Sequence, residues 1–274
     1  MLPWILSIAL TLTLLFLLWI FLIAPKKPRA AQLAPFRDRA YAHRGLWGEG
    51  APENSRAAFE RAAERGFAIE LDVQLSRDGT VMVFHDYTLD RMCTKEGRLS
   101  DFTAAELGKM PLDGMETETI PTLREVLETV AGRVPLLIEL KGESGNTALC
   151  PALLDTLADY KGEWCVESFN PLLLQWFRKN APHVLRGLLW TDLGKEKRDG
   201  SPLVNFLLTR MWLNCLCRPH FIAWDHKYPR GMARALAHRM GAASFVFTIK
   251  DATAYRAFLN AGVAPIFDEF TPER

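Results

Sequence analysis

The sequence predicts an α/β protein built as a (β/α)₈ barrel and preceded by one N-terminal transmembrane helix. Beyond about residue 39, nine short apolar runs typical of strands alternate with helix patterns. One pair of runs is joined by a turn too short for a parallel connection, which leaves eight strands for a parallel set. Eight such units in about 236 residues are typical of a barrel.

The predicted strands are residues 40–43, 67–73, 80–85, 136–141, 164–169, 186–190, 221–224, 244–249 and 263–267. The predicted helices cover residues 55–65, 122–131, 148–160, 172–180, 232–240 and 252–260. Several helices begin at recognisable caps, among them Asn54 before the first and the Asn170-Pro171 pair before the fourth.

The N-terminus has a different character, because residues 1–25 contain no charged side chain. Residues 4–24 would form about 31 Å of helix, enough to cross a hydrocarbon core. A cleaved signal peptide would need a charged amino-terminal region and a shorter apolar run. Trp4 and Trp19 lie near the two ends, as interfacial anchors do. We therefore predict an uncleaved anchor at 1–25, a juxtamembrane linker at 26–38 and the barrel at 39–274.

Basic residues follow the span at Lys26, Lys27 and Arg29, and only the terminal amine precedes it. The positive-inside rule then places the barrel of this single-pass protein in the cytoplasm. The odd number of cysteines, five, agrees with a reducing compartment. Because 33 basic residues balance 32 acidic ones, no basic face of the kind that nucleic acid requires is expected.

Strand parity places polar side chains inside the barrel. Residues 76–79 are too few to join parallel strands, so the run after 67–75 returns antiparallel and carries His85 to the barrel rim. Alternation puts Glu70 and Asp72 on the inner face near the carboxyl end of their strand. The same count places Glu139 and Lys141 inside, and His43 reaches the same mouth.

Three converging carboxylates repel one another unless a cation lies between them. Oxygen ligands without Cys or His suit Mg²⁺ or Ca²⁺, so Glu70, Asp72 and Glu139 predict a site for one divalent cation. The alternative is that each carboxylate pairs with an arginine or lysine inside the barrel, and Lys141 would satisfy one of them.

Two histidines beside such a site, His43 and His85, suit a reaction in which one group removes a proton and another supplies one. Either alone would indicate only an ordinary core or surface residue. A metal together with Arg44 and Lys141 forms an electropositive cradle for a phosphate ester. The residues alone therefore predict a metal-dependent hydrolase or lyase acting on a phosphate ester.

The order of short motifs carries a family resemblance. They are AHRG at 42–45, PENS at 52–55, ELDV at 70–73, DG at 78–79, FHD at 84–86, PTL at 121–123, IELK at 138–141 and ESF at 167–169. Over residues 40–170 this series resembles that of the glycerophosphodiester phosphodiesterases. Downstream the chain departs from it, with Phe247-Thr248 for a Trp-Thr pair and Phe267-Asp268 for a Thr-Asp pair.

The resemblance implies a TIM-barrel enzyme that hydrolyses a glycerophosphodiester to glycerol 3-phosphate and an alcohol, with an insertion at about 87–120 covering one side of the pocket. It also implies supporting roles for Glu53 and Asn54. By motif position the functional residues would be Glu70, Asp72 and Glu139 for the cation, His43 and His85 as general base and acid, and Arg44 and Lys141 for the phosphate.

Two alternatives are open. The membrane anchor raises the first, lysophospholipase D-like hydrolysis of membrane lysophospholipids or other glycerophospholipids, because a soluble diester needs no enzyme at a membrane. The altered downstream motifs raise the second, a non-catalytic, membrane-tethered binding module. Residues 202–217, PLVNFLLTRMWLNCLC, have no acidic residue and a single basic one, Arg210. They predict either a lipid-facing flap or a buried barrel helix, and the packing that outer barrel helices require favours the latter.

Overall fold

The computed structural model describes residues 2–142, 145–197 and 200–273. Its strands are β1 (Tyr41–His43), β2 (Ala68–Leu75), β3 (Val81–Val83), β4 (Pro111–Leu112), β5 (Met115–Thr119), β6 (Leu136–Leu140), β7 (Trp164–Ser168), β8 (Arg186–Trp190), β9 (Phe221–Asp225), β10 (Ala243–Ile249) and β11 (Ala264–Phe267). Its helices are α1 (Leu2–Ile23), α2 (Ala30–Leu33), α3 (Arg56–Glu64), α4 (Ala104–Leu107), α5 (Leu123–Val130), α6 (Leu149–Leu157), α7 (Pro171–Asn180), α8 (Pro202–Thr209), α9 (Asn214–Cys217), α10 (Met232–Arg239) and α11 (Ala252–Asn260).

In the described part of the chain, eight parallel strands close a barrel in the order β1, β2, β6, β7, β8, β9, β10, β11 and back to β1. The predicted (β/α)₈ fold is therefore confirmed. Strand β3 pairs antiparallel with β2 outside the closed ring, with Val73 opposite Val83, as the short turn required. The insertion after it contains the β4–β5 hairpin, and its Leu89 and Leu99 form a small separate core with Met82 of β3.

Two apolar layers follow strand parity. Side chains such as Tyr41, Ala68 and Leu137 form the barrel interior, whereas Ile69 and Leu71 pack outward against the helices. The branched residues of β2 thus contact the helices, and its alternate positions face the lumen. This alternation delivers the polar residues of β2 to the mouth.

Residues 26–38, predicted as a linker, include helix α2 and a buried aromatic ring. Phe36 is only 2% exposed and packs in the barrel-interior cluster. The Tyr41 hydroxyl donates a hydrogen bond to the Phe36 carbonyl at 2.8 Å. This segment therefore covers the amino-terminal end of the barrel. The division of the chain at residues 25 and 38 stays a prediction.

Among the described residues, one helix, Pro3–Ile23, is long and apolar enough to cross a membrane by length and composition. Its carboxyl end contacts the barrel at α9. The Asn214 amide donates to the Ile23 carbonyl at 3.0 Å, and Arg218 donates to the carbonyls of Phe21 at 2.7 Å and Ala24 at 2.9 Å. Ile23 itself is fully buried. The apolar helix is thus fixed to the barrel by direct contacts.

The interpretation of residues 202–217 as a buried barrel helix is wrong for its first half. Helix α8 as described has no buried residue, and Leu203 and Phe206 are exposed. The second half differs, because α9 buries Asn214 and Cys217. Apolar composition alone could not distinguish a helix facing the core from one facing another apolar phase.

A buried histidine at the start of β9 predicts a pH-dependent stability. His220 is fully buried, and its Nδ1 accepts a hydrogen bond from the Arg186 backbone N–H at 3.2 Å. Burial, with Arg186 and Lys26 nearby, lowers the pKa of His220 to about 3. At pH values between about 3 and 6.5, His220 binds a proton in the unfolded chain but stays neutral in the folded chain. Stability should therefore fall by as much as about 1.4 kcal/mol per pH unit as the pH drops through this window.

The matched variant is His220→Asn, whose amide oxygen replaces Nδ1 as acceptor. Between pH 6.5 and 4.5 the wild type should lose more stability than this variant, by about 2 kcal/mol or several degrees in Tm. Thermal unfolding of both proteins across this range measures the difference, with carboxylate titration common to both. Parallel Tm profiles would contradict the assignment.

Candidate active site

Three carboxylates meet at the carboxyl ends of β2 and β6. Asp72 lies opposite Glu139 in the register of these strands, and Glu70 lies two residues before Asp72. One oxygen from each lies within 4.8 Å of the others, and all three side chains are buried. The positions i and i+2 on β2 share the inner face, which is why strand alternation predicts them together.

One lysine pairs with two of these carboxylates. The Lys141 ammonium lies 2.6 Å from Glu139 and 2.9 Å from Asp72 Oδ1, the latter without hydrogen-bond geometry. Although burial opposes ionisation of Asp72, Lys141 together with His85 and Arg44 holds its pKa far below the usual range. The alternative of pairing with basic side chains thus holds for Asp72 and Glu139.

It does not hold for Glu70 or for a fourth carboxylate, Glu167 on β7. Glu70 accepts a backbone N–H from Arg44 at 3.0 Å, and Glu167 is buried with an Oε2 atom that has no hydrogen-bond partner among the described residues. Burial, together with Asp72 and Glu139, raises the pKa of Glu70 well above its ordinary value. Four buried carboxylates therefore exceed the positive charge of Lys141 and Arg44. This excess and the all-oxygen donor set fit a hard divalent cation.

The AHRG turn positions Arg44 beside the three carboxylates Glu70, Asp72 and Glu139. Arg44 has φ +57° and Gly45 has φ +83°, so the chain turns sharply after β1. A side chain at Gly45 would place its Cβ 2.9 Å from the backbone of Ala58, so glycine is required there. The turn directs the Arg44 N–H at Glu70. The Arg44 guanidinium donates a hydrogen bond to Glu53 at 2.8 Å and lies 3.5 Å from Asp72.

Residues of the PENS motif form hydrogen bonds that position Asp72 and Arg44. Asn54, also at φ +57°, donates its amide to Asp72 Oδ2 at 2.8 Å. Glu53 accepts hydrogen bonds from Arg44 and also from Arg91 of the insertion, the latter at 2.5 Å. The supporting roles expected for Glu53 and Asn54 agree with these contacts.

Each predicted histidine has a carboxylate at Nδ1. His85 Nδ1 lies 2.6 Å from Asp86, which Arg91 also contacts at 2.6 Å. His43 Nδ1 lies 2.9 Å from Asp268, which directly follows β11. Because a carboxylate accepts but does not donate, the Nδ1 proton is held there, and Nε2 is the nitrogen left for proton exchange.

These contacts lower the pKa of both aspartates. Although burial opposes it, hydrogen bonds from His85 and Arg91 hold the pKa of Asp86 far below its usual range. The bond from His43 likewise lowers the pKa of Asp268, again against the effect of burial. Both therefore stay ionised at neutral pH and orient their imidazoles.

A pocket of about 160 Å³ collects these groups at the barrel mouth. Its polar lining comprises His43, Arg44, Glu70, His85, Glu139, Lys141 and Glu167, with Thr248 at one side and Phe169, Leu189, Phe247 and Ile266 as apolar walls. Asp72 lies behind this lining, in contact with Lys141. The structure thus brings all seven predicted site residues together, while their roles stay predictions.

Sequence reasoning did not identify Asp86, Glu167 or Asp268 as functional residues. Asp86 and Glu167 lie within the motifs FHD and ESF, and strand parity places Glu167 beside Glu139 in the register of β6 and β7. Asp268 stands out in the sequence only as part of a departure from a motif. Its partner His43 lies 225 residues away, so only barrel closure reveals the pair.

A family model described as the glycerophosphoryl diester phosphodiesterase family matches residues 43–272. The chain belongs to this family. The match covers the barrel from the end of β1 onward, and it confirms the predicted family.

Known relatives agree. A glycerophosphodiester phosphodiesterase of Caldanaerobacter subterraneus is 40% identical over 161 residues, 54% of this chain and 65% of that protein. A putative glycerophosphodiester phosphodiesterase of Bacillus subtilis is 36% identical over 186 residues, 62% of this chain and 76% of that protein. The aligned stretch thus spans somewhat less than two thirds of the first relative.

Among solved structures, a phosphodiesterase of Oleispira antarctica in complex with the product sn-glycerol-3-phosphate superposes with a TM-score of 0.69. It is 25% identical, and the superposition covers 85% of this chain and 93% of that one. A superposition over 85% of this chain extends the likeness well beyond the motifs of residues 40–170.

Proposed function

We propose that this chain is a membrane-anchored, divalent-metal-dependent phosphodiesterase that hydrolyses glycerophosphodiesters to glycerol 3-phosphate and an alcohol. The observation that carries the proposal is one pocket lined by a buried carboxylate cluster and by two histidines, each oriented by its own carboxylate. The Oleispira phosphodiesterase binds sn-glycerol-3-phosphate as its product, which supports the same product for this chain.

Glu70, Asp72 and Glu139 would hold one Mg²⁺ or Ca²⁺ ion. Glu167 lines the same pocket, opposite Glu139 in the register of β6 and β7. When bound, the cation would polarise the phosphoryl oxygens and neutralise developing charge. The protein's own part is to keep these carboxylates fixed through Asn54 and the Arg44 backbone.

Lys141 and Arg44 supply the positive charge that faces the phosphate. Both line the pocket, and both are held by acidic partners, Lys141 by Glu139 and Arg44 by Glu53. Binding a phosphodiester would let each side chain donate to phosphoryl oxygens while keeping one carboxylate contact. This arrangement orients the scissile phosphorus towards the imidazoles.

His43 and His85 act as the general base and acid. One Nε2 takes the proton from the attacking oxygen, which is either water or a hydroxyl of the substrate glycerol. The other Nε2 gives a proton to the departing alcohol oxygen. Asp268 and Asp86 keep the rings oriented and stabilise whichever imidazolium forms.

The apolar helix α1 would span the membrane once, with the barrel on the cytoplasmic side. The absence of charge along the helix and the basic residues at 26, 27 and 29 support this orientation. The contacts of Arg218 and Asn214 with the end of α1 would hold the barrel against the bilayer surface.

The test uses the full-length protein in nanodiscs, stripped of metal and then given Mg²⁺ or Ca²⁺ with glycerophosphocholine or glycerophosphoethanolamine. We expect cation-dependent release of glycerol 3-phosphate. Release of phosphocholine and glycerol would place the cleavage on the other phosphoester bond. Tight cation binding without turnover of either diester would favour the non-catalytic binding module.

A further inference from the structure

A larger cavity of about 880 Å³ adjoins the catalytic pocket between the barrel rim and α8. The two share Glu139, Phe169 and Leu189 in their linings, so this groove lies directly beside the catalytic pocket. Beyond these shared residues the groove is mainly apolar, with Leu172 on one wall and Leu208 on the other. Its volume is that of a site for a sizeable ligand.

The glycerophosphodiester that fits the catalytic pocket has no apolar part to fill such a groove. An aliphatic lining next to a phosphoryl site instead suits a molecule that joins a phosphodiester to a hydrocarbon chain. A single groove accommodates one chain, as in a lysophospholipid.

Helix α8 forms the wall between this groove and the apolar N-terminal helix. Val204 and Leu208 line the groove, whereas Phe206 and Arg210 face a separate recess that also contains Trp19 of α1. Trp19 lies about one turn before the end of α1, where interfacial tryptophans lie in spanning helices. Leu203 and Val204 on α8 are 66% and 45% exposed.

The α1 contacts fix where this wall lies. Because the carboxyl end of α1 is bound to α9 through Asn214 and Arg218, a membrane around α1 would reach α8 next. The exposed apolar residues of α8 would then contact the interfacial region of the bilayer, and the groove behind them would open towards it.

We infer that this groove binds the acyl chain of a lysophospholipid that enters from the membrane, while its phosphodiester occupies the catalytic pocket. The inference rests on the proposed function and names its substrate class. Water adds across the bond between phosphorus and the head-group oxygen. The products are an acylglycerol phosphate, which keeps the chain in the groove, and the free head-group alcohol, which takes the proton.

The test compares glycerophosphocholine with lysophosphatidylcholines of about six to ten acyl carbons, short enough to stay largely monomeric. Three full-length proteins in nanodiscs are measured: wild type, Leu208→Trp, which fills the groove, and Leu203→Trp, the same change on the outward face of α8. Wild type and Leu203→Trp should show kcat/KM rising by as much as about fourfold per added CH₂. Leu208→Trp should show no rise, with its turnover of glycerophosphocholine unchanged.

A kcat/KM independent of chain length in wild type, or a rise that persists in Leu208→Trp, would overturn the groove assignment while leaving the proposed function in place. Failure of wild type to hydrolyse glycerophosphocholine would overturn the proposed function instead. Calorimetric binding of the same lysolipids to metal-free protein then decides on the groove separately, because affinity should still rise with chain length in wild type and not in Leu208→Trp.

Discussion

Replacing His85 by alanine is expected to lower kcat for a glycerophosphodiester by roughly 10²–10⁴-fold, the usual contribution of one positioned acid or base. The fold should be retained, because the His85 side chain is partly exposed at the rim and its hydrogen bond is to the adjacent residue, Asp86, and not to a distant part of the barrel. The measurement is steady-state turnover of glycerophosphocholine beside thermal unfolding of the same preparation. A kcat within a few-fold of wild type would remove His85 from the mechanism.

The chain offers a matched control in His226. It also lies at the carboxyl end of a barrel strand, is comparably exposed and hydrogen-bonds the backbone of Phe247, but it does not line the catalytic pocket. His226→Ala should retain wild-type kcat. A second variant, Asp86→Asn, keeps the size of the side chain but alters the orienting bond to His85. It should slow turnover less than His85→Ala and change the pH profile of kcat, which a purely structural contact would not do.

The acidic part of this site followed from local sequence because strand alternation is a short-range rule. Once residues 68–75 form a strand, Glu70 and Asp72 must share a face, and branched neighbours such as Leu71 determine which face that is. The short turn before Thr80 required an antiparallel return, which leads to His85 at the rim. Both inferences span fewer than about twenty residues and needed no knowledge of the rest of the barrel.

The pairing of His43 with Asp268, in contrast, could not be inferred from local sequence. It exists because β1 and β11 are hydrogen-bonded neighbours that close the ring, with Ala42 opposite Phe267 in the register. No periodicity in either strand encodes that neighbour, because closure is a property of all eight strands together. Long-range partners of catalytic groups are therefore the part of the site that sequence patterns do not reveal.

Helix α8 shows the limit of hydrophobicity as a guide to location. Apolar residues all round a helix indicate that it leaves water, but they do not say whether it enters the protein core, a bilayer or a ligand-filled groove. The structure leaves Leu203 and Phe206 exposed and places Leu208 on the groove. Trp19 of α1 lines one recess together with residues of α8, and no local pattern in either segment encodes that the two lie together.

Replacing Glu70 by glutamine is expected to abolish stabilisation of the folded protein by the divalent cation. Wild type should gain about 2.7 kcal/mol at a cation concentration about 100 times Kd, several degrees in Tm, because the cation binds only the folded carboxylate cluster. In Glu70→Gln one ligand charge is lost while the amide oxygen still accepts the Arg44 N–H, so the backbone turn is kept. Activity should fall with the loss of the cation.

The metal-free variant gives a second, opposite expectation. Glu70 is one of four carboxylates buried together, and removing its charge relieves repulsion that the cation no longer balances. Without metal, Glu70→Gln should therefore unfold at a Tm equal to or above that of wild type, although it is less active. Glu116→Gln, the same change at an exposed position of β5, should keep the cation-induced rise in Tm. A full rise in Glu70→Gln, or a large loss of metal-free stability, would mean that Glu70 supports the fold and does not bind the cation.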